Sequence, residues 1–510
     1  MRPTRRRVLT AGALMGGLAA TALPRLARAQ RADGVLRYGL SAFPPNLQPW
    51  VSTGASAGTV KMLIHRSLVS FDERGELSGE IAESWSRDEA GAWVFKLRRG
   101  IRFHNGEEVT ADDVKWTIEQ IAGERSTAYM RAQFQLVERV ETPDRYTVRL
   151  VTKEPLAIVP SWFANYNMSV VWRRSEANNP IGCGPFRLAG QERGTSIDLV
   201  AFDRYYKPGL PKLRGIRFVA YADENLRMAA LQSGDMDMIE YVPWQSMAAV
   251  EADPRLRLDS KEGPFMDLLF NGQRGPFADP RVRRAVAHAV RREEIVRGAF
   301  FGRGKVLEGM PIAEGTPWWN AELSRGHRYD PERAKSLLRD AGHPNGFSTV
   351  MLSTAQFGMH KDTAEIVQQH LAEIGIRVEL RLPDWGTRVN LGTRGQYEIA
   401  VHGVSSDNND PDGLSVILDT SLSPTYSRSF GLSAPRTTAA LARGRAEFDE
   451  AKRVDIYKDM QRAALDEVPL VGLAWRSQGY GMDRRVQGFV NLPGALTTSS
   501  GLMLEYVSLS

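Results

Sequence analysis

Cysteine is almost absent from this sequence, with Cys183 alone among 510 residues. One cysteine cannot form an internal disulfide, which excludes a disulfide-stapled fold even in an oxidising compartment. The fold must therefore be held together by burial of apolar side chains. The sequence also has no low-complexity segment and no long linker, so it does not predict a string of separate small modules.

The apolar run at residues 11–23 is shorter than the roughly 20 residues that a membrane-spanning helix needs. It follows a twin-arginine pattern at residues 4–10 and precedes Ala27-Arg28-Ala29, a small-x-small cleavage pattern. These features predict a twin-arginine signal peptide over residues 1–29, removal of that peptide near Gln30, and export to the periplasm.

A basic surplus is missing once this segment is removed. The whole chain carries a formal charge of +6, but residues 1–29 contain six arginines and no acid, so the remaining chain is formally neutral. A neutral chain gives no indication of nucleic-acid binding. About 480 residues remain, which is enough for two or more domains.

Motifs for the common enzyme classes are absent as well. The sequence contains no phosphate-binding Gly-x4-Gly-Lys-Ser/Thr loop and no His-Glu-x-x-His. The eight histidines are scattered singly, and Cys183 has no readable base beside it, so packing roles are favoured for them. His402, five residues before Asp407, is the one histidine retained as a candidate. We expect no catalytic residue, no metal and no cofactor.

What the sequence does contain is a concentrated acidic stretch at residues 405–413, which follows a short apolar run. It places Asp407, Asp410 and Asp412 within six positions, among residues that favour turns. Three interpretations are open for this charge. It could bind Ca²⁺, because residues 408–413 have the spacing of an EF-hand loop start. It could bind an ammonium group on a ligand, or it could be a solvated turn.

Local patterns along the chain indicate alternating strands and helices. Alternating apolar residues predict strands at 34–40, 93–97 and 376–382, and helical spacing predicts a helix at 366–374. Thr110 and Asp113 form a helix-start box, and residues 80–85 suggest a short helix.

An ordered set of segments resembles the family 5 solute-binding proteins, which serve ABC importers of peptides, nickel and related solutes. In the segment at 180–186, Cys183 stands where the family usually has Thr. Any one segment is a weak signal, but their order along nearly the whole chain is a strong one. The segments are residues 75–85, 93–106, 110–114, 180–186, 223–237, 270–271, 277–285 and 330–334.

The resemblance implies an α/β fold: the two-lobed periplasmic-binding-protein fold of type II, large peptide-binding class, with mixed sheets and a double-crossing hinge. It implies that lobe I comprises 30–265, with an extra subdomain at about 60–180, and a return segment at 482–510. Lobe II would be 266–481. We place the two crossings near 265–271 and 471–480, where a few residues could absorb a rotation.

The function implied is that of the periplasmic substrate-binding component of an ABC transporter. It would capture di- or oligopeptides, or peptide-like amines, and deliver them to the permease subunits as a monomer. One alternative is the same family tuned to an opine, a glycoside or a nickel chelate. The other is an exported hydrolase.

The acidic stretch acquires a specific role from the resemblance. Residues 403–412 resemble the segment of dipeptide-binding members that presents an aspartate to the peptide's α-ammonium group, and that aspartate corresponds to Asp407. Ser405 and Ser406 flank it, while Val404 replaces the family's Trp and puts the stacking wall in doubt. Calcium is disfavoured because Asp419, Ser415 and Pro411 depart from the EF-hand pattern.

Six further residues complete the predicted ligand site. Ser41, Ala42 and Phe43 match the first-strand loop that lines the same cleft in the family, and Phe43 could supply some of the missing aromatic surface. Trp385, Arg388 and Trp475 are added because they are aromatic or cationic residues near predicted cleft-facing segments.

Overall fold

The structure is a computed structural model and describes residues 34–51, 54–406 and 408–510. The predicted signal peptide at 1–29 and Asp407 both lie outside the described residues. Residues 34–510 form one compact unit.

The strands of the described chain are β1 (Val35–Leu40), β2 (Val69–Phe71), β3 (Leu77–Gly79), β4 (Ala82–Arg87), β5 (Trp93–Leu97), β6 (Val137–Asp144), β7 (Thr147–Thr152), β8 (Phe186–Glu192), β9 (Ser196–Ala201), β10 (Gly215–Ala220), β11 (Met238–Ile239), β12 (Leu256–Phe270), β13 (Gly304–Val306), β14 (Phe347–Leu352), β15 (Ile376–Arg381), β16 (Ile399–Val404), β17 (Val471–Asp483), β18 (Val486–Gln487) and β19 (Ser508–Leu509).

The α-helices are α1 (Ala55–Ile64), α2 (Ala111–Ala122), α3 (Val159–Trp162), α4 (Glu224–Ser233), α5 (Met247–Ala252), α6 (Pro280–Ala289), α7 (Arg292–Phe300), α8 (Pro331–Asp340), α9 (Gly358–Ala372), α10 (Trp385–Thr393), α11 (Ser415–Leu418), α12 (Pro435–Ala446) and α13 (Glu450–Glu467). The 3₁₀ segments are Tyr129–Arg131, Gln133–Leu136, Tyr166–Met168, Trp244–Ser246, Pro276–Ala278, Leu323–Arg325, Pro411–Leu414 and Gly494–Tyr506. None of the described helices has the length and apolar character that crossing a membrane requires.

One sheet dominates the molecule and mixes parallel with antiparallel pairs, as the predicted α/β fold with mixed sheets requires. Its strand order is β15-β14-β16-β12-β17-β11-β1-β10-β9-β8, with β13 added on β17. Parallel pairing joins β14 to β15 and β16, and joins β1 to β10 and β11. A separate antiparallel sheet has the order β4-β5-β7-β6.

The two long strands β12 and β17 run antiparallel through the centre of this sheet. The first half of β12 pairs with residues 477–483 of β17, and the second half pairs with residues 471–475. The register shifts between Glu262 and Phe265, which is the mark of a β-bulge. Gly263 lies within this bulge, and a Cβ there would lie only 1.7 Å from the carbonyl oxygen of Gly494. The close approach of the two backbones therefore requires glycine at 263.

Helix starts follow the signals in the sequence. Thr110 and Asp113 form the predicted capping box of α2, which pairs two backbone N–H groups that the helix leaves open. The Asp279 carboxylate accepts the N–H of Arg281 at 2.8 Å at the start of α6, where Pro280 is the first residue. Asp330 caps α8 in the same way.

The predicted short helix at residues 80–85 is wrong. Residues 82–87 form β4, which pairs antiparallel with β5 across a bulge between Ala82 and Ser84. Six residues are too few for periodicity to separate a helical turn from a strand, and pairing with β5 decides the outcome.

Apolar burial is organised in three clusters. The first draws on residues 36–238 and again on 480–507, so the two ends of the described chain share one core. The second draws on residues 228–474, and the third on residues 265–470. Each large apolar side chain that is fully buried contributes about 1.5–3 kcal/mol. The predicted first part of lobe I ends at residue 265, but the second cluster contains residues from both sides of that position. The lobe boundaries therefore stay a prediction.

Candidate functional site

Parallel strands end together at two places in the main sheet. The carboxyl ends of β14 and β15 lie side by side in one half of it, and β16 starts beside the end of β14 and runs on in the same direction. The carboxyl ends of β1 and β11 lie side by side in the other half. Ligands of open α/β sheets bind outside the carboxyl ends of the strands, so the loops after these strands are the candidate site.

A cavity of about 400 Å³ opens beside the loop that follows β16. Two of the predicted site residues, Ser406 and Trp475, line it together with Trp318 and Trp319. Its charged lining includes Glu262 and Lys305, which form an ion pair of 3.1 Å. The volume lies in the range of small-molecule sites, and the mixed aromatic and polar lining is typical of them.

The loop after β16 contacts the segment near residue 494. The Ser405 hydroxyl donates to the carbonyl of Ala495 at 2.7 Å. The Asn409 side chain accepts the N–H of Ala495 at 2.8 Å and donates to the carbonyl of Pro493 at 3.2 Å. Within the loop, the Ser406 hydroxyl donates to the carbonyl of Asn408. Residues that the sequence places far apart thus meet at the rim of the cavity.

Two of the three loop carboxylates are engaged by arginines. Both oxygens of Asp410 accept from the guanidinium of Arg453 at 2.9 Å. The buried Asp412 accepts from Arg445 at 3.0 Å and from the Ser415 hydroxyl at 2.8 Å. Both acids therefore shape the turn, and the ammonium role predicted for Asp407 stays a prediction. Among the described residues, no group of three or more His, Cys, Asp or Glu side chains could hold a metal ion.

Trp385 and Arg388, both predicted site residues, lie together after β15. The Arg388 guanidinium carbon is 5.4 Å from the Trp385 ring centroid and 5.5 Å from that of Tyr426. Asp384 caps α10 by accepting the N–H of Thr387, which fixes the first turn that carries Trp385. Arg388 is buried, and one of its nitrogens donates to the carbonyl of Val401 at 2.6 Å.

A buried histidine–carboxylate pair lies beside this arginine. Asp267 of β12 stands opposite His402 of β16 in the register, and its Oδ1 lies 3.0 Å from Nδ1 of His402. His360 contacts the Trp385 ring at 5.6 Å between centroids. Burial, together with the positive charge of Arg388, lowers the pKa of His360 well below its ordinary value, so this imidazole is neutral.

Of Asp267, His360 and His402, only His402 is a candidate from the sequence, for its position five residues before Asp407. Asp267 was missed, although an acid inside the apolar run of β12 is a signal that could have found it. His360 carries no such signal.

The first-strand loop is organised by a buried acid that the sequence analysis also missed. Oε1 of Glu240 accepts the N–H of Ser41 at 2.8 Å and its hydroxyl at 2.7 Å, and it is also bonded to the Ser56 hydroxyl. Ala42 is exposed, whereas Phe43 is half-buried and packs against the first hydrophobic cluster.

The remaining predicted residues take packing positions. Val404 and Trp475 both pack against the third hydrophobic cluster, and the Trp475 ring lies edge-on to Phe265 at 5.6 Å. Cys183 is buried in the first cluster, and burial raises the pKa of its thiol to about 12. It is therefore a packed residue without thiolate character.

Comparison with known proteins places the chain among binding proteins. The family model described as bacterial extracellular solute-binding proteins, family 5 Middle, matches residues 76–423. A glutathione-binding protein, GsiB of Pectobacterium atrosepticum, is 26% identical over 493 residues, which cover 91% of this chain and 92% of that protein.

Solved structures give the same fold. AgaA from A. tumefacien R10, in complex with agropinic acid, has a TM-score of 0.89 at 37% identity, covering 94% of this chain and 99% of its own. DppA from Helicobacter pylori, in complex with the peptide STSA, has a TM-score of 0.84 at 23% identity, covering 94% and 98%. The fold is thus the type II periplasmic-binding-protein fold of the peptide-binding class, as the resemblance implied.

Proposed function

Because the chain belongs to the bacterial extracellular solute-binding proteins of family 5, we propose that it captures a peptide or a peptide-like amine in the periplasm for an ABC importer. Proteins of this family bind small ligands and deliver them to ABC permeases. The observation that carries the proposal is the family match over residues 76–423. Binding and release make and break no covalent bond, so the function requires no catalytic residue.

Asp407 is proposed to hold the ammonium group of the ligand. Its neighbour Ser406 lines the cavity, while Asp410 and Asp412 are paired with arginines. A carboxylate in a cleft that closes over its ligand is costly unless it meets a cation. This cost selects solutes with a free amine.

The energetics are compatible with a cavity of this size. A micromolar Kd corresponds to about 8 kcal/mol. A few desolvated hydrogen bonds, one ion pair and stacking on the tryptophans of the cavity supply that free energy after the cost of association. Removal of water on closure strengthens each polar contact.

An opine is the second candidate ligand. AgaA, whose structure holds agropinic acid, is 37% identical in sequence to this chain and covers 94% of it. Opines are small and densely polar, which suits a cavity lined by tryptophans, Lys305 and Glu262. Glycosides and nickel chelates remain further possibilities within the family.

Closure is proposed to occur between two lobes, 30–265 with 482–510 and 266–481, linked by β12 and β17. The shared core of residues 36–238 and 480–507 supports a lobe built from both ends of the chain. The bulge between Glu262 and Phe265 supports a hinge at that level of the two strands. Monomeric action in the periplasm, after removal of residues 1–29, completes the proposal.

The test is a thermal-shift screen of the purified protein with glutathione, the dipeptide Met-Leu, the peptide STSA and agropinic acid. We expect at least one of the three peptides, each of which has a free amine, to raise the Tm of the wild-type protein, and Asp407→Asn to abolish most of that increase. Agropinic acid, a lactam without a free amine, tests the opine alternative. The matched control is Asp198→Asn, which makes the same charge change at an exposed site on β9.

Equal stabilisation of the wild type and Asp407→Asn would remove the ammonium role from Asp407. Failure of every solute to shift the Tm, with no small molecule released on denaturation for mass spectrometry, would contradict the proposed binding function.

A further inference from the structure

Two buried arginines near the carboxyl ends of the parallel strands lack an acidic partner among the described residues. Arg388 is 1% exposed and Arg476 is 3% exposed, yet neither forms an ion pair within that part of the chain. Asp267, an acid close enough to influence Arg388, directs Oδ1 to His402. A buried guanidinium without a counter-charge costs free energy that the fold alone does not recover.

Other buried arginines show how this chain ordinarily satisfies such a group. Arg227 donates to three backbone carbonyls, and Arg283 donates to four. Arg388 donates to one carbonyl, that of Val401. Arg476 donates to the side chain of Gln478 at 3.2 Å and bonds to the Tyr241 hydroxyl. Arg227 and Arg283 are thus surrounded by backbone carbonyls, whereas Arg388 and Arg476 are not.

The direction of the pKa shift distinguishes Arg388 and Arg476 from an arginine that has an acidic partner. Burial lowers the pKa of Arg388 and of Arg476. Burial also opposes the charge of Arg453, but Asp410 raises its pKa above the ordinary value. The difference is the carboxylate that Arg453 has and the other two lack.

Polar atoms without a partner converge at this place. The Trp385 ring contacts both His360 and the Arg388 guanidinium, and the His402 ring contacts Tyr426. The positive charge of Arg476 is close enough to lower the pKa of His360. Such atoms are rare in folded proteins and indicate an absent partner. Of the sixteen buried side-chain atoms without a hydrogen-bond partner among the described residues, six belong to this group: Nε and Nη1 of Arg388, Nε of Arg476, Nδ1 of His360, Nε2 of His402 and Oδ2 of Asp267.

We propose that Arg388 and Arg476 bind a carboxylate of the transported solute. The charges of Arg388, Arg476 and Asp267 sum to one positive charge, which suits a monoanionic group. A guanidinium matches the planar carboxylate in shape and in donor geometry. The Trp385 and Tyr426 rings hold the Arg388 guanidinium in place from two sides. This inference rests on the proposed function and extends it: with the ammonium at Asp407, the solute is a zwitterion derived from an amino acid.

The experiment compares acids with their neutral derivatives on the purified full-length protein by isothermal titration calorimetry. The probe pairs are Met-Leu with Met-Leu amide, and glutathione with glutathione diethyl ester; agropinic acid is titrated as well. We expect the wild type to bind the acid of at least one pair about 30-fold or more tightly than its neutral form. Arg388→Gln and Arg476→Gln should each remove most of that preference.

A purely structural arginine would behave differently, and Arg283→Gln is the matched control. Loss of its four carbonyl bonds should lower the Tm of the ligand-free protein and leave the acid preference intact. Arg388→Gln removes an uncompensated buried charge, so the Tm of its ligand-free form should stay the same or rise.

Equal affinity of the wild type for acid and neutral forms overturns the carboxylate subsite but leaves the binding function standing. If both glutamine variants keep the full preference for the acid, the carboxylate subsite is likewise overturned and the binding function stands. Absence of binding to every probe overturns the subsite together with the proposed function.

Discussion

At the residue scale, Lys61 shows what a buried charge costs when it lacks an acidic partner. It lies in α1, has no exposed surface and donates to the backbone carbonyl of Val51. Burial lowers the pKa of its ammonium group from 10.5 to about 7. Between those pH values the unfolded chain binds one proton more than the folded chain. The free energy of unfolding therefore rises with pH from about 7 to 10.5, and the penalty is complete below pH 7.

Lys61→Met should remove this pH dependence. Methionine has a similar length and no charge, so we expect the variant to be more stable than the wild type at pH 6, by about 4–5 kcal/mol. The gain should shrink at pH 9.5 and vanish near pH 10.5. Urea unfolding at pH 6, 8 and 9.5 measures the difference.

The matched control for Lys61 is Lys335→Met, because Lys335 is 42% exposed and paired with Glu332 on a helix surface. It should shift stability little and equally at each pH. A Lys61→Met variant that is destabilised by the same amount at all three pH values would show that the buried ammonium does not titrate as described.

At the element scale, the loop after β16 is fastened to the segment that begins the 3₁₀ helix Gly494–Tyr506. Asn409 makes two hydrogen bonds to the backbone of this segment and Ser405 makes one. In the proposed two-lobe arrangement, these bonds join lobe II to the return segment of lobe I. They would then exist in the closed form and be lost on opening.

Asn409→Ala should weaken ligand binding by destabilising the closed form. Each lost hydrogen bond is worth about 1 kcal/mol, so we expect a dissociation rate about 5- to 30-fold faster, with little change in the Tm of the ligand-free protein. Stopped-flow release of a solute identified in the thermal-shift screen measures this rate. Asn105→Ala, which alters a turn residue that bonds only locally to Glu107, is the control. An unchanged dissociation rate in Asn409→Ala would show that these bonds are not specific to the closed form.

Elements defined by short-range chemistry could be predicted from the sequence. The caps at Thr110, Asp279 and Asp330, and the alternating strands β1, β5 and β15, depend on neighbours within a few residues. The strand β4 could not be predicted, because its identity depends on pairing with β5. The extent of β12 and β17 follows likewise from partners more than 200 positions away.

At the scale of the whole molecule, the candidate site assembles groups from distant parts of the chain. Trp385, Arg388 and the loop after β16 were predictable because resemblance or residue type pointed to them. The polar groups beside them were not: Asp267 comes from β12 and His360 from α9, and Glu240, which holds the predicted residue Ser41, directly follows β11. Each is polar within apolar surroundings, and its role becomes visible only when the fold shows what lies beside it.

The distribution of charge along the whole chain leads to the last prediction, which concerns export. Residues 1–29 hold six of the arginines and no acid, and the rest of the chain is formally neutral. A signal peptide explains this asymmetry, whereas a nucleic-acid-binding surface would place basic residues throughout the folded part.

Arg5→Lys with Arg6→Lys keeps the charge but removes the arginine pair that a twin-arginine export system reads. We expect the precursor of this variant to stay in the cytoplasm, uncut, while the wild type appears in the periplasmic fraction cleaved near Gln30, as seen by immunoblot and N-terminal sequencing. Arg25→Lys with Arg28→Lys makes the same chemical change beside the cleavage pattern and should still be exported. Full export of the Arg5→Lys, Arg6→Lys variant would contradict the twin-arginine route. The protein would then be exported by a route that does not require the two arginines.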